Sequence, residues 1–208
     1  KTFLPRTSAD PFRLYQRKAA ALKPGESGLL CLDWHNGNRC VLVDQKLTGM
    51  ILGYTLATRP EEVYRALIEA TGFGARVIIE RVEEYGVPIE TLVAAGGIAE
   101  KNPLLLQIYA DITGREIRVS ASSQTCALGA ALFGAVAAGC FSSVEEGQRR
   151  ICRFKRTVYR PEAHSRQVYD RLYRLYRQVH DAFGTRSFTG TLFPIMKELL
   201  AIQEEVTR

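Results

Sequence analysis

No apolar run in this chain of 208 residues approaches the roughly 20 that a membrane-spanning helix needs, and no targeting segment is evident. The expectation is a cytoplasmic protein with no membrane partner. The five cysteines (Cys31, Cys40, Cys126, Cys140 and Cys152) are odd in number, far apart and mostly flanked by apolar residues. They form no Cys-x-x-Cys pair and no Cys/His ligand spacing, which argues against a disulfide framework and a zinc site and for buried free thiols. Also missing are a Walker loop, a dinucleotide Gly-x-Gly-x-x-Gly and a nucleophile elbow. The three histidines, His35, His164 and His180, fall in separate segments with no carboxylate or cysteine at a triad-like spacing, so structural or surface roles are expected. The acidic pairs Glu61-Glu62, Glu83-Glu84 and Glu204-Glu205 read as solvated helix positions, not metal ligands. A chain that opens on Lys1 is expected to be a piece of a longer one.

Positive charge is present but unevenly placed. Residues 141–208 carry net +5 of the total +6, so an electrostatic partner would meet the tail. Three regions follow: a lead-in helix (1–28), an α/β unit (29–140) and a helical tail packed on it (141–208), all within one structural domain.

Asp10-Pro11 caps and opens a first helix that Lys23-Pro24-Gly25 ends. Leu29–Leu32 reads as a short strand. Asp33–Arg39 follows, too polar and turn-rich for core although it holds the only Trp. Cys40–Val43 and Gly49–Thr55 are further strand candidates, with Gly53 permitting a close approach. From Arg59-Pro60 to Tyr85, apolar residues recur at spacings of three and four, the mark of a long amphipathic helix. Gly72, Gly74 and Ala75 within it imply that another element packs closely.

Thr91–Ala95 is a strand that runs into Gly96-Gly97, and Asn102-Pro103 opens a helix by an N-cap and a first-turn proline. Paired glycines remove the β-carbons that would hold a ligand off, and open N–H groups at a helix start favour an anion. A tight turn is the alternative reading of the glycines. Leu104–Thr113 forms a helix stopped by Gly114, and Glu116–Val119 forms a strand. Ser122–Thr125 caps a helix over Cys126–Ala138, whose small apolar residues predict burial on several sides. This rhythm describes an α/β domain with a partly parallel sheet and a ligand beyond the strands' carboxyl ends. Glu145–Arg150, Ala163–Phe183 and Leu192–Val206 are predicted helices. In the second of these, Arg171, Arg174 and Arg177 alternate with tyrosines. That pattern fits either nucleic-acid binding or, as preferred here, an amphipathic helix with packed tyrosines and no nucleic acid.

Leu32–Arg39, Tyr64–Thr71, Gly96-Gly97 with Lys101-Asn102-Pro103, Gln107–Asp111 and Ala127–Ala131 together resemble the C-terminal half of the FGGY carbohydrate kinases. Those enzymes lie in the actin-like ATPase superfamily, with a ribonuclease H-like fold. Asp33-Trp34-x-Asn36-Gly37-Asn38-Arg39 and Gln107–Asp111 point to the ribulokinase branch, and a xylulokinase-like enzyme is the runner-up. The resemblance implies that Gly96 and Gly97 lie against the ribose and phosphates of ATP, with Lys101 and Asn102 bordering the adenosine. It also implies that Mg²⁺ is held through the phosphates and that L-ribulose is bound mainly by an N-terminal half. Ser122-Ser123-Gln124 departs from relatives that often carry an acid at the second position. The family's catalytic aspartate and phosphate loop have no counterpart here, so no catalytic residue is assigned and the chain alone is expected to be inactive. A non-catalytic assembly module, or a homodimer through the tail, is the competing class.

Overall fold

A computed structural model describes residues 11–208, so the cap predicted at Asp10 lies outside the described residues. In chain order the elements are α1 (Pro11–Ala20), β1 (Leu30–Leu32), β2 (Met50–Leu52), α2 (Pro60–Glu84), β3 (Thr91–Ala94), α3 (Gly97–Lys101) and α4 (Pro103–Thr113). They continue as β4 (Glu116–Ser120), α5 (Thr125–Ala137), α6 (Val144–Ile151), β5 (Phe154–Tyr159), α7 (Ala163–Gly184) and α8 (Ile195–Thr207). β3 and β4 run parallel, β5 joins β4 antiparallel, and β1 pairs with β2 as a separate antiparallel ribbon. Parallel pairing brings the carboxyl ends of β3 and β4, and the loops that follow them, to one edge of the sheet. β5 was not anticipated; its first four residues are exposed, so no buried alternation marks it.

α2 starts where the sequence signals. The Arg59 backbone N–H donates to Glu62 Oε2 at 2.7 Å, and Pro60 occupies the first turn. Glu62 is buried by this reciprocal cap, contrary to the solvated position expected of it. The α2 glycines serve close packing: a β-carbon at Gly72 would lie 2.8 Å from Ile112 Cδ1 of α4, and one at Gly74 2.8 Å from Asp33 Oδ2. Gly53 is equally constrained, because it holds φ +85° and a β-carbon there would overlap the Gly28 carbonyl oxygen of the neighbouring segment.

The main core joins Leu30, Leu32 and Trp34 to Phe73 and Val77 of α2, Ile108 and Ile112 of α4, and the apolar faces of α7 and α8. Tyr169 and Tyr176 are fully buried, while Arg171 pairs with Glu205 at 2.7 Å and Arg177 with Asp181 at 3.5 Å. The amphipathic reading of α7 therefore holds. A second cluster, Ala99, Leu106, Ala110, Ile117 and Val119, lies beneath the segment after β3.

Four further expectations are overturned. Trp34 is core, 2% exposed and edge-on to His180 at 5.3 Å. Its polar neighbours fold back through a two-bond Asn38–Asp44 bridge, and α7 covers the indole. That same bridge makes Cys40–Val43 part of a closed loop, not a strand. Only Cys31 is a buried thiol, pushed up to about 12 chiefly by burial; Cys40, Cys126 and Cys140 are exposed and Cys152 is half-buried. For Cys126 the flanking residues did not report burial, because Ala127 is itself exposed in α5. That helix is the fourth correction: Leu132 is its sole buried residue, and Phe133 is 61% exposed. α5 packs on α6, where Gly147 admits the Leu132 side chain. A helix of small apolar residues on every side encodes no preferred face, so composition alone did not decide its burial.

Candidate functional site at the glycine bend

β3 ends at Ala94, and Gly96 turns the chain with φ 85° and ψ 179°, a conformation closed to residues with a β-carbon. α3 then forms at once, so a five-residue helix separates the glycines from the helix that begins at Asn102–Pro103. The backbone N–H groups nearest the bend are those of α3, not of α4 as the sequence had implied. Residues Gly97–Lys101 favour one helical turn before Asn102 breaks it, with φ −129°. Asn102 is an N-cap as predicted: its Oδ1 accepts from Leu105 N at 3.1 Å, and also from Gln16 Nε2 at 3.0 Å. The Asn102 carbonyl-type oxygen is thus committed to holding α4 and α1 together.

The bend is open. A β-carbon built at Gly96 or Gly97 meets no atom within 4 Å. Three hollows lie in its neighbourhood, and Gly96 and Gly97 line none of the three. One of about 400 Å³ includes Ala95, Ile98 and Tyr109; one of about 610 Å³ runs from Val93 past Thr125, Leu128 and Gly129 to Arg149 and Arg153. The third, about 1080 Å³, lies between α1 and the α3–α4 corner and is lined by Arg13, Gln16, Arg17 and Lys101. Lys101 is exposed and makes no ion pair among the described residues, whereas the neighbouring Glu100 is neutralised by Lys155 at 3.0 Å. The surroundings of the bend therefore combine bare main chain, apolar walls and positive charge, a combination that suits a phosphorylated ligand with an apolar ring. Thr125 lines the middle hollow, and the preceding turn is held locally by Ser122 Oγ accepting from Gln124 N at 3.1 Å.

Sequence reasoning missed a buried polar network under α1. Arg65 Nε donates to Glu69 Oε1 at 2.7 Å, and its other nitrogens reach the Ala19 and Leu22 carbonyls and the Tyr169 hydroxyl. The detectable signal was an Arg/Glu pair at i,i+4 inside an otherwise apolar helical face.

The histidines take the roles expected. His35 and His164 are exposed, and His180 is 3% exposed with Nδ1 2.8 Å from Asp181 Oδ1. Burial lowers the His180 pKa despite the opposing pull of Asp181 and Asp33, with Arg177 adding to the lowering. The unfolded chain therefore takes up a proton near 6.5, before the folded chain does. Stability from neutral His180 is complete above that value and is lost as pH falls toward the depressed folded value. Denaturant midpoints at about pH 7.5 and about pH 5.5 should differ less for His180→Gln than for the unaltered chain. An equal difference would remove His180 as the source.

The profile of the C-terminal domain of the FGGY family of carbohydrate kinases matches residues 5–138. A ribulokinase from Bacillus licheniformis is 52% identical over 180 residues, covering 85% of this chain and 33% of the relative. One from Mycolicibacterium smegmatis is 43% identical over 190 residues, covering 91% of this chain and 32% of the relative. Among solved structures, a gluconate kinase from Lactobacillus acidophilus aligns with TM-score 0.76 at 22% identity, over 88% of this chain and 36% of that one. A glycerol kinase from Plasmodium falciparum, solved with ADP, aligns with TM-score 0.68 at 18% identity, over 84% of this chain and 34% of that one. The chain thus spans about a third of the length of the curated relatives it matches.

Proposed function

We propose, from the premise that this chain belongs to the FGGY family of carbohydrate kinases, that it supplies one wall of the ATP site of a ribulokinase. The observation that carries this reading is the open Gly96-Gly97 bend at the carboxyl end of the parallel β3–β4 pair. Gly96 and Gly97 would admit the ribose and phosphates, and Lys101 would add positive charge beside the adenosine. Asn102 acts through its cap, holding α4 and, by way of Gln16, α1 in place. Mg²⁺ would be held through the phosphates and by the rest of the protein, since no group of three potential ligands exists among the described residues. ATP with Mg²⁺ supplies the phosphoryl group and its charge neutralisation; this chain's part is to position the nucleotide. L-ribulose, the aspartate that takes its hydroxyl proton, and the phosphate loop belong to the remaining two-thirds of such an enzyme. The exposed apolar faces of α5 and the open edge of β3 give that remainder a surface to pack on.

Calorimetric titration of the chain with ATP and Mg²⁺ should give saturable heat, and Gly97→Val should weaken binding at least about tenfold, roughly 1.4 kcal/mol. Equal affinities would remove the bend from the site. Incubation with ATP, Mg²⁺ and L-ribulose should yield no ADP above background, and clear turnover would refute the division of labour.

A further inference from the structure

Among the described residues, two buried side-chain polar atoms have no hydrogen-bond partner: Trp34 Nε1 and His180 Nε2. They belong to rings that meet edge to face, with centroids 5.3 Å apart and planes at 71°. Trp34 comes from the segment after β1 and His180 from α7, and the two residues are 2% and 3% exposed. Buried polar groups ordinarily find partners, so two orphans at one ring contact mark a place for something that answers both. The chain closes tightly around them. Gly184 ends α7 against the indole, and a β-carbon there would lie 3.3 Å from Trp34 Cη2 and overlap Leu42 Cδ1. His180 also lines a hollow of about 250 Å³ with Asp33, Asn38 and Tyr176, set between the segment after β1 and helices α2, α4 and α7. Trp34 is not part of that lining, so its N–H lies behind the wall and not in the open hollow.

The two nitrogens select what fits. His180 Nδ1 lies 2.8 Å from Asp181 Oδ1, and an ionised carboxylate only accepts. Nδ1 therefore carries the proton of the neutral ring, and Nε2 is left as a bare acceptor. The indole N–H only donates. The occupant must accept from Trp34 and donate to His180. An ammonium ion has no acceptor and a halide has no donor, so neither answers both. Water does. Centroids 5.3 Å apart put the nitrogens within the reach of one water or a chain of two, at about 2.8–3.0 Å per hydrogen bond. We propose that this ring contact is a buried water site, in which water accepts from Trp34 Nε1 and donates to His180 Nε2. The water joins the segment after β1 to α7 by hydrogen bonds where the rings alone give only contact. With Asp181 it holds His180 in the Nδ1–H tautomer. The site stands independently of the nucleotide reading.

Trp34 is the only tryptophan, so its indole proton gives a single assignable nuclear magnetic resonance signal. In the folded 208-residue chain that proton should show a cross-peak to a long-lived water, with nuclear and rotating-frame Overhauser effects of opposite sign. Long-range proton–nitrogen correlation of His180 at neutral pH should show the Nδ1–H tautomer. His180→Phe, which keeps a ring but removes the acceptor, should lose the water cross-peak while still unfolding cooperatively. The first two measurements use the unaltered chain and decide the question even where the variant does not fold. Four results would overturn the proposal. They are an indole proton with no long-lived water beside it, the Nε2–H tautomer of His180, or a cross-peak of unchanged intensity in folded His180→Phe. The fourth is a scalar coupling from Trp34 Nε1–H to His180 Nε2, which would show the two rings bonded directly.

Discussion

Arg65→Leu should lower the free energy of unfolding by about 3–5 kcal/mol, because it leaves the Glu69 carboxylate buried without its counter-charge. The side chains of Arg65 and Glu69 are 5% and 3% exposed, so water cannot replace what is lost. The guanidinium also binds the Ala19 and Leu22 carbonyls, at 3.0 and 2.7 Å, and thereby fixes the end of α1. α1 in turn carries Gln16, which bonds Asn102 and the Lys101 carbonyl at the corner beside the glycine bend. The variant should therefore lose nucleotide affinity as well as stability. Urea denaturation followed by circular dichroism measures the first effect, and a loss below about 1 kcal/mol would mean that the network is close to energetically neutral. Replacing both partners, Arg65→Met with Glu69→Leu, should recover most of the stability, since the penalty comes from an unpaired charge and not from a missing bond.

The second large effect is expected at Phe73. Its ring is 1% exposed and lies among three tyrosines of α7: edge-on to Tyr169 at 6.1 Å, tilted against Tyr173 at 6.0 Å and against Tyr176 at 5.3 Å. Phe73→Ala should cost about 3–5 kcal/mol, the transfer free energy of the ring plus the cavity left when rigid neighbours cannot close over it. Phe73→Leu should lose clearly less, because it refills most of the space. Thermal and urea unfolding of the two variants test this, and similar losses would show that packing against the tyrosines contributes little beyond apolar area. Tyr176 is the hydroxyl donor to Asp33, so the alanine variant should also loosen the polar cavity behind β1.

These two residues show where sequence reading reached and where it stopped. Phe73 was legible as one point of a repeating apolar stripe, and the closeness of its surroundings was legible from Gly72 and Gly74. Which helix met that stripe was not, because α7 lies about a hundred residues further on and any amphipathic helix would have satisfied the pattern. Arg65 and Glu69 were visible as a pair one helical turn apart, yet nothing local distinguishes a buried pair from a solvated one. Trp34 sits in a polar stretch whose pattern describes a surface turn, and only the fold of α7 over it makes it core.

The chain by itself determined its longer helices, the four strands of the ribbon and the parallel pair, the glycine bend and the Asn102 cap, and by resemblance the family. All but the family rest on short-range rules: periodicity, capping and the dihedral freedom of glycine. Tertiary structure alone decided that α5 is exposed, that a charged strand, β5, completes the sheet, and that one short helix intervenes before Asn102. It also brought Asp33, Asn38 and Tyr176 around one cavity. Those outcomes depend on which surfaces remain uncovered after packing, a property of the assembled chain that no window of neighbouring residues contains.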